Sequence, residues 1–198
     1  MRRRLDPIGV ILAGGQGRRI GGSKAIVELC GRPLISYPLA ALRASIGDVA
    51  VIAKADTELP SMPGVTVWIE PELPRHPLVG IVQGLALAAE RPVLACGVDL
   101  PFVTPELIAR IAGTDPLGAP AVVPRSEGGL QPLPALYLPA ALNLLGRSAR
   151  IGNAPLRELV AAIGPRLVDV DDRDAFFNVN VPEELLQAAA MIDRRAQR

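Results

Sequence analysis

Short apolar runs alternate with amphipathic stretches along most of the chain, and the two carry different periods. Residues 9–13, 48–53, 65–69, 93–97, 121–123, 135–138 and 166–170 are rich in β-branched and other aliphatic residues and read as strands. Between them, residues 34–44, 80–89, 105–112, 140–145, 155–162 and 182–194 repeat their apolar positions at helical spacing. This alternation predicts an α/β fold of three layers, α/β/α, with a mostly parallel central sheet covered by helices on both faces. Thr104-Pro105-Glu106 is a strong helix start, combining a hydroxyl cap, a proline at the first helical position and an acid in the first turn. Val181-Pro182-Glu183-Glu184 opens the last helix with a weaker cap. No repeat, low-complexity tract or linker divides residues 1–198, so one domain is expected, and the 20 prolines fall mostly at element boundaries.

Composition sharpens this picture. Hydrophobic residues make up 49% of the chain but aromatic ones only 3%, so the core is expected to be built from Leu, Ile, Val and Ala. The 21 basic residues nearly cancel the 20 acidic ones, leaving a formal charge of +1 and no global field directed at nucleic acid or an anionic membrane. Cys30 and Cys96 are far apart and lack metal-ligand spacing, and no secretory or membrane-spanning run is present. A cytoplasmic protein with reduced thiols is expected, with Arg2-Arg3-Arg4 read as a solvated tail.

Three constellations carry chemistry. In the first, the apolar run at residues 8–12 empties into Ala13-Gly14-Gly15-Gln16-Gly17-Arg18-Arg19-Ile20-Gly21-Gly22-Ser23-Lys24. Bare backbone N–H groups and fixed positive charge at the C-terminal end of a buried strand form a cradle for phosphate. Ser23 precedes Lys24 and Ala25 follows it, which excludes an ordinary P-loop. Ile20 stands where a dinucleotide fingerprint needs its third glycine. The alternative is a glycine-rich turn with solvated charges. In the second, the run at residues 93–97 ends at Asp99-Leu100-Pro101, where a single carboxylate at a strand end offers an oxygen ligand to Mg²⁺. Its competing role, capping the helix that follows, is better filled by Thr104. In the third, Asn178 and Asn180 in Asn178-Val179-Asn180-Val181-Pro182 point to one side of an extended segment, where their amides can contact one ligand. Turn chemistry ahead of a proline-initiated helix is the alternative there.

Taken in this order, these motifs resemble the molybdenum cofactor guanylyltransferases of the MobA type, within the GT-A-like nucleotidyltransferase superfamily. The resemblance also runs through Gly31-Arg32-Pro33-Leu34, Pro77-Leu78-Val79-Gly80-Ile81 and Gln131-Pro132-Leu133-Pro134-Ala135-Leu136-Tyr137. The first loop and the Asp99 segment specify the superfamily, whereas the Gln131–Tyr137 and Asn178–Pro182 segments point to the molybdopterin branch. It implies a Rossmann-like, GT-A-like fold and transfer of GMP from Mg-GTP to the terminal phosphate of molybdopterin, with release of pyrophosphate. Residues 1–110 would mainly hold the nucleotide and 111–198 mainly the acceptor. On this reading Leu12, Ala13, Gly14, Gly15 and Glu70 bind the nucleotide, Arg19 and Lys24 neutralise phosphate charge, and Asp99 holds Mg²⁺ or Mn²⁺. Arg18 is an auxiliary cation, and Gln131, Pro132, Asn178 and Asn180 face the acceptor. Proteins that deliver the cofactor or take up the product are implied partners.

The chain departs from the family pattern at three places. Ser23 stands before Lys24 where an aspartate is common, and His76 replaces a usual glycine and reads as a loop residue. The positions that read guanine after the second and third strands commonly carry Asn and Asp, whereas here they read Ala53-Lys54 and Glu70-Pro71-Glu72. Glu70 could accept from the N1 and N2 donors of guanine. Cytidylyl transfer to the same cofactor, or transfer to another small phosphorylated acceptor, would keep Arg19, Lys24 and Asp99. A nucleotide-binding module without turnover is the alternative of a different class, and a dinucleotide-dependent oxidoreductase is disfavoured by Ile20.

Overall fold

The computed structural model describes residues 6–15, 20, 22–151 and 154–197. Its main sheet is built on β1 (Ile8–Leu12), β4 (Val49–Ala53), β5 (Thr66–Ile69), β6 (Val93–Gly97), β7 (Ala121–Ser126), β9 (Ala135–Tyr137) and β10 (Arg166–Asp169). The spatial order is β10-β7-β9-β6-β1-β4-β5, with the short β8 (Gly129–Leu130) paired to β7. All seven run parallel except β9, which lies antiparallel to both β6 and β7. Two short strands, β2 (Glu28–Leu29) and β3 (Arg32–Pro33), form a separate ribbon.

The helices are α1 (Ser36–Ser45), α2 (Pro77–Leu87), α3 (Pro105–Gly113), α4 (Ala140–Ile151), α5 (Leu156–Ala162) and α6 (Pro182–Ala196). Side-chain alternation along the strands divides the interior into two layers. Ile11, Val51, Leu94 and Val122 pack on one face against Leu42 of α1 and Ile108 of α3. Val10, Ala50, Ala95 and Val123 pack on the other against Ile81 of α2, Leu145 of α4 and Val160 of α5. The three-layer architecture expected from the sequence is therefore present. The short strands β2, β3 and β8 were not expected, since two-residue pairings leave no periodicity to read.

Helix α2 begins three residues before its expected start. Pro77 occupies the first turn and the Nδ1 of His76 accepts from the Leu78 N–H at 3.2 Å, so the lone histidine is a helix cap. Helix α3 starts as expected, with Thr104 Oγ1 accepting from the Leu107 N–H at 3.2 Å. Helix α6 is better capped than its first residues suggest, because the Glu184 carboxylate reaches back to the N–H groups of Asn180, at 2.6 Å, and Val181, at 3.3 Å.

A third apolar cluster lies away from the sheet and joins Leu29, Leu34, Phe102, Val179, Ala188 and Met191. Phe102 and Phe177 meet edge to face with centroids 6.0 Å apart. This cluster docks α6 and the segment before it beside the loop that follows β6. Cys30 is exposed and Cys96 buried, both as free thiols. Among the described residues, no helix is long and apolar enough to cross a membrane.

Candidate active site

Strand β1 lies between β4 and β6, the place where the chain order reverses and where an open α/β sheet leaves a crevice beyond its C-terminal ends. A cavity of about 450 Å³ opens there, within the range of small-molecule sites. Its walls come from the ends of four neighbouring strands: Leu12, Gly14 and Gly15 after β1, Lys54 after β4, Glu70 after β5, and Val98 and Asp99 after β6.

At one end of the cavity stands a three-residue cluster. Lys24 Nζ lies 2.8 Å from Asp99 Oδ2 and donates to Asn180 Oδ1 at 2.7 Å. Residues separated by up to 156 positions are brought together here by backbone contacts. The Val98 N–H donates to Leu12 O at 3.2 Å, and the Val179 N–H donates to Asp99 O at 3.0 Å. Two side-chain oxygens thus converge on one positive charge. Such a hard-oxygen environment suits a divalent cation that draws its remaining ligands from water and phosphate. Among the described residues, no three His, Cys, Asp or Glu side chains come together to hold a metal. An ion bound at Asp99 would therefore draw most of its shell from water and from the oxygens of a bound ligand.

At the other end is a buried ion pair. Lys54 Nζ lies 3.2 Å from Glu70 Oε1 and donates to Pro71 O at 2.6 Å, and the two side chains are only 3% and 8% exposed. Parallel pairing of β4 with β5 sets this contact, since the Glu70 N–H donates to Ala53 O at 2.9 Å. Burial pushes the Glu70 carboxyl up from its ordinary value, against the opposing influence of Lys54.

Two glycines make room for that carboxylate. A side chain at Gly14 would run into Glu70, lying 2.9 Å from its Cδ, and one at Gly80 would come 3.1 Å from Glu70 Oε2 and 2.9 Å from Leu12 Cδ2. Gly15, next in the chain, faces open space. Gly14→Ala should therefore destabilise the protein by about 1–3 kcal/mol through overpacking, whereas Gly15→Ala should change it by less than about 0.5 kcal/mol. Thermal unfolding of the two variants side by side checks this, and equal midpoints would contradict the packing argument.

Of the residues read from the sequence, Leu12, Gly14, Gly15, Lys24, Glu70, Asp99 and Asn180 line this cavity, with Ala13 buried directly before Gly14. Arg18 and Arg19 lie outside the described residues. Gln131, Pro132 and Asn178 do not line it. The Gln131 amide donates to Ser126 Oγ at 2.8 Å, and Pro132 O accepts from the buried Tyr137 hydroxyl at 2.8 Å. Ser23 is directed away, its hydroxyl donating to Glu58 O at 2.9 Å. Lys54, which the sequence places at the end of the second strand without assigning it a role, also lines the cavity; its signal is the one that exposed Asp99, a charge placed just past an apolar run.

Known proteins resemble this chain in sequence and in fold. Residues 9–168 match the model of the MobA-like NTP transferase domain. A molybdenum cofactor guanylyltransferase of Acidiphilium cryptum is 37% identical, covering 93% of this chain and 97% of that protein. Among solved structures, molybdopterin-guanine dinucleotide biosynthesis protein A of Archaeoglobus fulgidus superposes with a TM-score of 0.76 at 24% identity, covering 94% of this chain and 99% of the other. A Mycobacterium tuberculosis protein in complex with manganese superposes with a TM-score of 0.73 at 17% identity, covering 95% of this chain and all of the other.

Proposed function

We infer that this chain, which belongs to the MobA-like NTP transferase family, transfers GMP from GTP to the terminal phosphate of molybdopterin and releases pyrophosphate. The observation that carries this reading is the Lys24–Asp99–Asn180 cluster in the wall of a crevice of about 450 Å³. The name borne by the 37% identical relative supplies the donor and the acceptor.

An oxygen of the acceptor phosphate attacks the α-phosphorus of GTP. The bond between that phosphorus and the oxygen bridging to the β-phosphate breaks, and pyrophosphate departs with the electron pair. The acceptor is a phosphate monoester, largely dianionic at neutral pH because its second pKa is about 6, so no general base is required. Transfer of this kind asks the protein for positioning and charge neutralisation.

The backbone of Leu12, Ala13, Gly14 and Gly15 cradles the nucleotide, and Glu70 accepts from its base. Lys24 neutralises phosphate charge, aided by Arg19. Asp99 holds a divalent cation, Mg²⁺ or Mn²⁺. Bound there, the cation supplies charge neutralisation across the phosphates in the transition state. Asn180 stands at the acceptor end of the cavity, and Gln131, Pro132 and Asn178 extend acceptor binding beyond it. Residues 1–198 act as one nucleotidyltransferase domain, working in the cytoplasm with proteins that supply the cofactor or receive the product.

Equilibrium binding of GTP, CTP, ATP and UTP, with and without Mg²⁺, tests the donor, and pyrophosphate release on adding molybdopterin tests the acceptor. A metal-dependent preference for GTP with turnover is expected. A preference for CTP would move the protein to cytidylyl transfer, and GTP binding without turnover would leave a binding module.

A further inference from the structure

The cavity carries polar side chains that neither of its ends accounts for. With Lys24, Asp99 and Asn180 at one end and Lys54 and Glu70 at the other, those left on its wall among the described residues are Arg75 and His76. Arg75 is 38% exposed and turned towards Glu72, 3.6 Å away and outside the cavity wall. His76 is half-buried and pinned.

Hydrogen bonds on both sides hold it. The His76 N–H donates to Pro74 O at 3.2 Å, its carbonyl accepts from the Val79 N–H at 3.0 Å, and Nδ1 accepts from the Leu78 N–H at 3.2 Å. The last of these decides the chemistry of the ring. An imidazole nitrogen that accepts carries no proton, so the neutral ring holds its proton on Nε2. Among the described residues nothing accepts from that N–H. His76 therefore brings to the cavity one preorganised donor and no acceptor.

Placement decides what such a donor meets. Gly84 of α2 lies against Ile52 of β4, Val10 of β1 and Val93 of β6, so the helix crosses the strands that separate the two ends of the cavity. Because α2 links strands that run parallel, it runs antiparallel to them, and its first residues overhang their C-terminal ends. His76 stands about one turn further out than Gly80, whose own position is against Glu70 and Leu12. A nucleotide carries base, sugar and phosphate in fixed order. With its base at Glu70 and its phosphates at Lys24 and Asp99, the part that passes the start of α2 is the sugar, and ribose offers hydroxyl oxygens to an N–H donor.

We propose that His76 is a sugar-reading residue, its Nε2–H donating to a ribose hydroxyl of the bound nucleoside triphosphate and favouring ribonucleotides over deoxyribonucleotides. The inference rests on the nucleotide-transfer reading above but not on the choice of base.

Two substitutions divide the two roles of the ring. His76→Asn keeps an acceptor near the place of Nδ1 and removes the outer donor, whereas His76→Gln keeps a donor near the place of Nε2 and removes the cap. Equilibrium binding of GTP, 2′-deoxy-GTP and 3′-deoxy-GTP in Mg²⁺ is read beside thermal unfolding of the full chain. The wild type should bind one of the deoxynucleotides about three- to tenfold more weakly than GTP, the effect of one hydrogen bond. His76→Asn should erase that difference with its midpoint unchanged. His76→Gln should retain it while its midpoint falls by about 2–4 °C. His76 is the 1 histidine of the chain, so its ring ¹⁵N and ¹H signals in the untagged protein need no variant for assignment. The Nε2–H proton should move on adding GTP and not on adding the disfavoured deoxynucleotide.

Equal affinity of the wild type for all three nucleotides, or ring signals unmoved at saturating GTP, would overturn the inference while leaving guanylyl transfer standing. Discrimination that survives in His76→Asn would place sugar recognition elsewhere. Its loss in both variants would assign the effect to the bulk of the ring, and either result overturns the proposal. Absence of GTP binding by the wild type would remove the reading beneath it as well.

Discussion

Replacing Asp99 by alanine should lower the turnover number for pyrophosphate release by about a thousandfold or more. Metal-assisted charge stabilisation is worth several kcal/mol in a transition state, and each 1.4 kcal/mol is about tenfold in rate. The loss should not come from misfolding, because the Asp99 side chain is 22% exposed at the cavity mouth and its anchoring contact, with the Val179 N–H, is made by its backbone carbonyl. Binding of GTP in chelator should persist, since the cradle after β1 and the base end of the cavity are untouched. Turnover within tenfold of the wild type would remove Asp99 from the metal site.

Replacing Lys24 by methionine should lower turnover by about a hundred- to a thousandfold, the cost of removing one preorganised donor aimed at developing charge. Its effect on metal binding should run the other way. In the structure Lys24 Nζ occupies the space between Asp99 Oδ2 and Asn180 Oδ1, at 2.8 and 2.7 Å, so it competes with any cation drawn to those oxygens. Without it, Mn²⁺ should bind in the absence of nucleotide at least as tightly as to the wild type. A purely structural lysine would lose both, which steady-state kinetics paired with a Mn²⁺ titration would reveal.

The sheet and its helices were legible because strands and helices impose different periods on aliphatic residues. Candidate site residues were legible as charges or glycines near strand ends, as with Gly14 after β1, Glu70 after the largely exposed β5 and Asp99 after β6. Two features were not. Lys54 and Glu70 are 16 positions apart, and only the parallel register of β4 with β5 makes them neighbours. Lys24 and Asn180 meet only because the small cluster around Val179 and Met191 docks α6 beside the loop after β6, and no local pattern encodes that docking. Conversely, the spacing of Asn178 and Asn180 suggested a shared ligand, but only Asn180 reaches the cavity. Gln131 is bonded instead to a hydroxyl within its own hairpin.

The division of the crevice between its two ends has a consequence for how such a chain can diversify. On the proposed reading, Glu70 at the base end and the glycines that make space for its carboxylate fall between residues 14 and 80. The Lys24–Asp99–Asn180 cluster, to which the same reading assigns phosphate, metal and acceptor, draws on positions spread almost the length of the chain. Choice of nucleobase would then rest on changes within one third of the sequence. The transfer chemistry would be distributed, so that the nucleotide could be changed with every residue assigned to the phosphate left where it is.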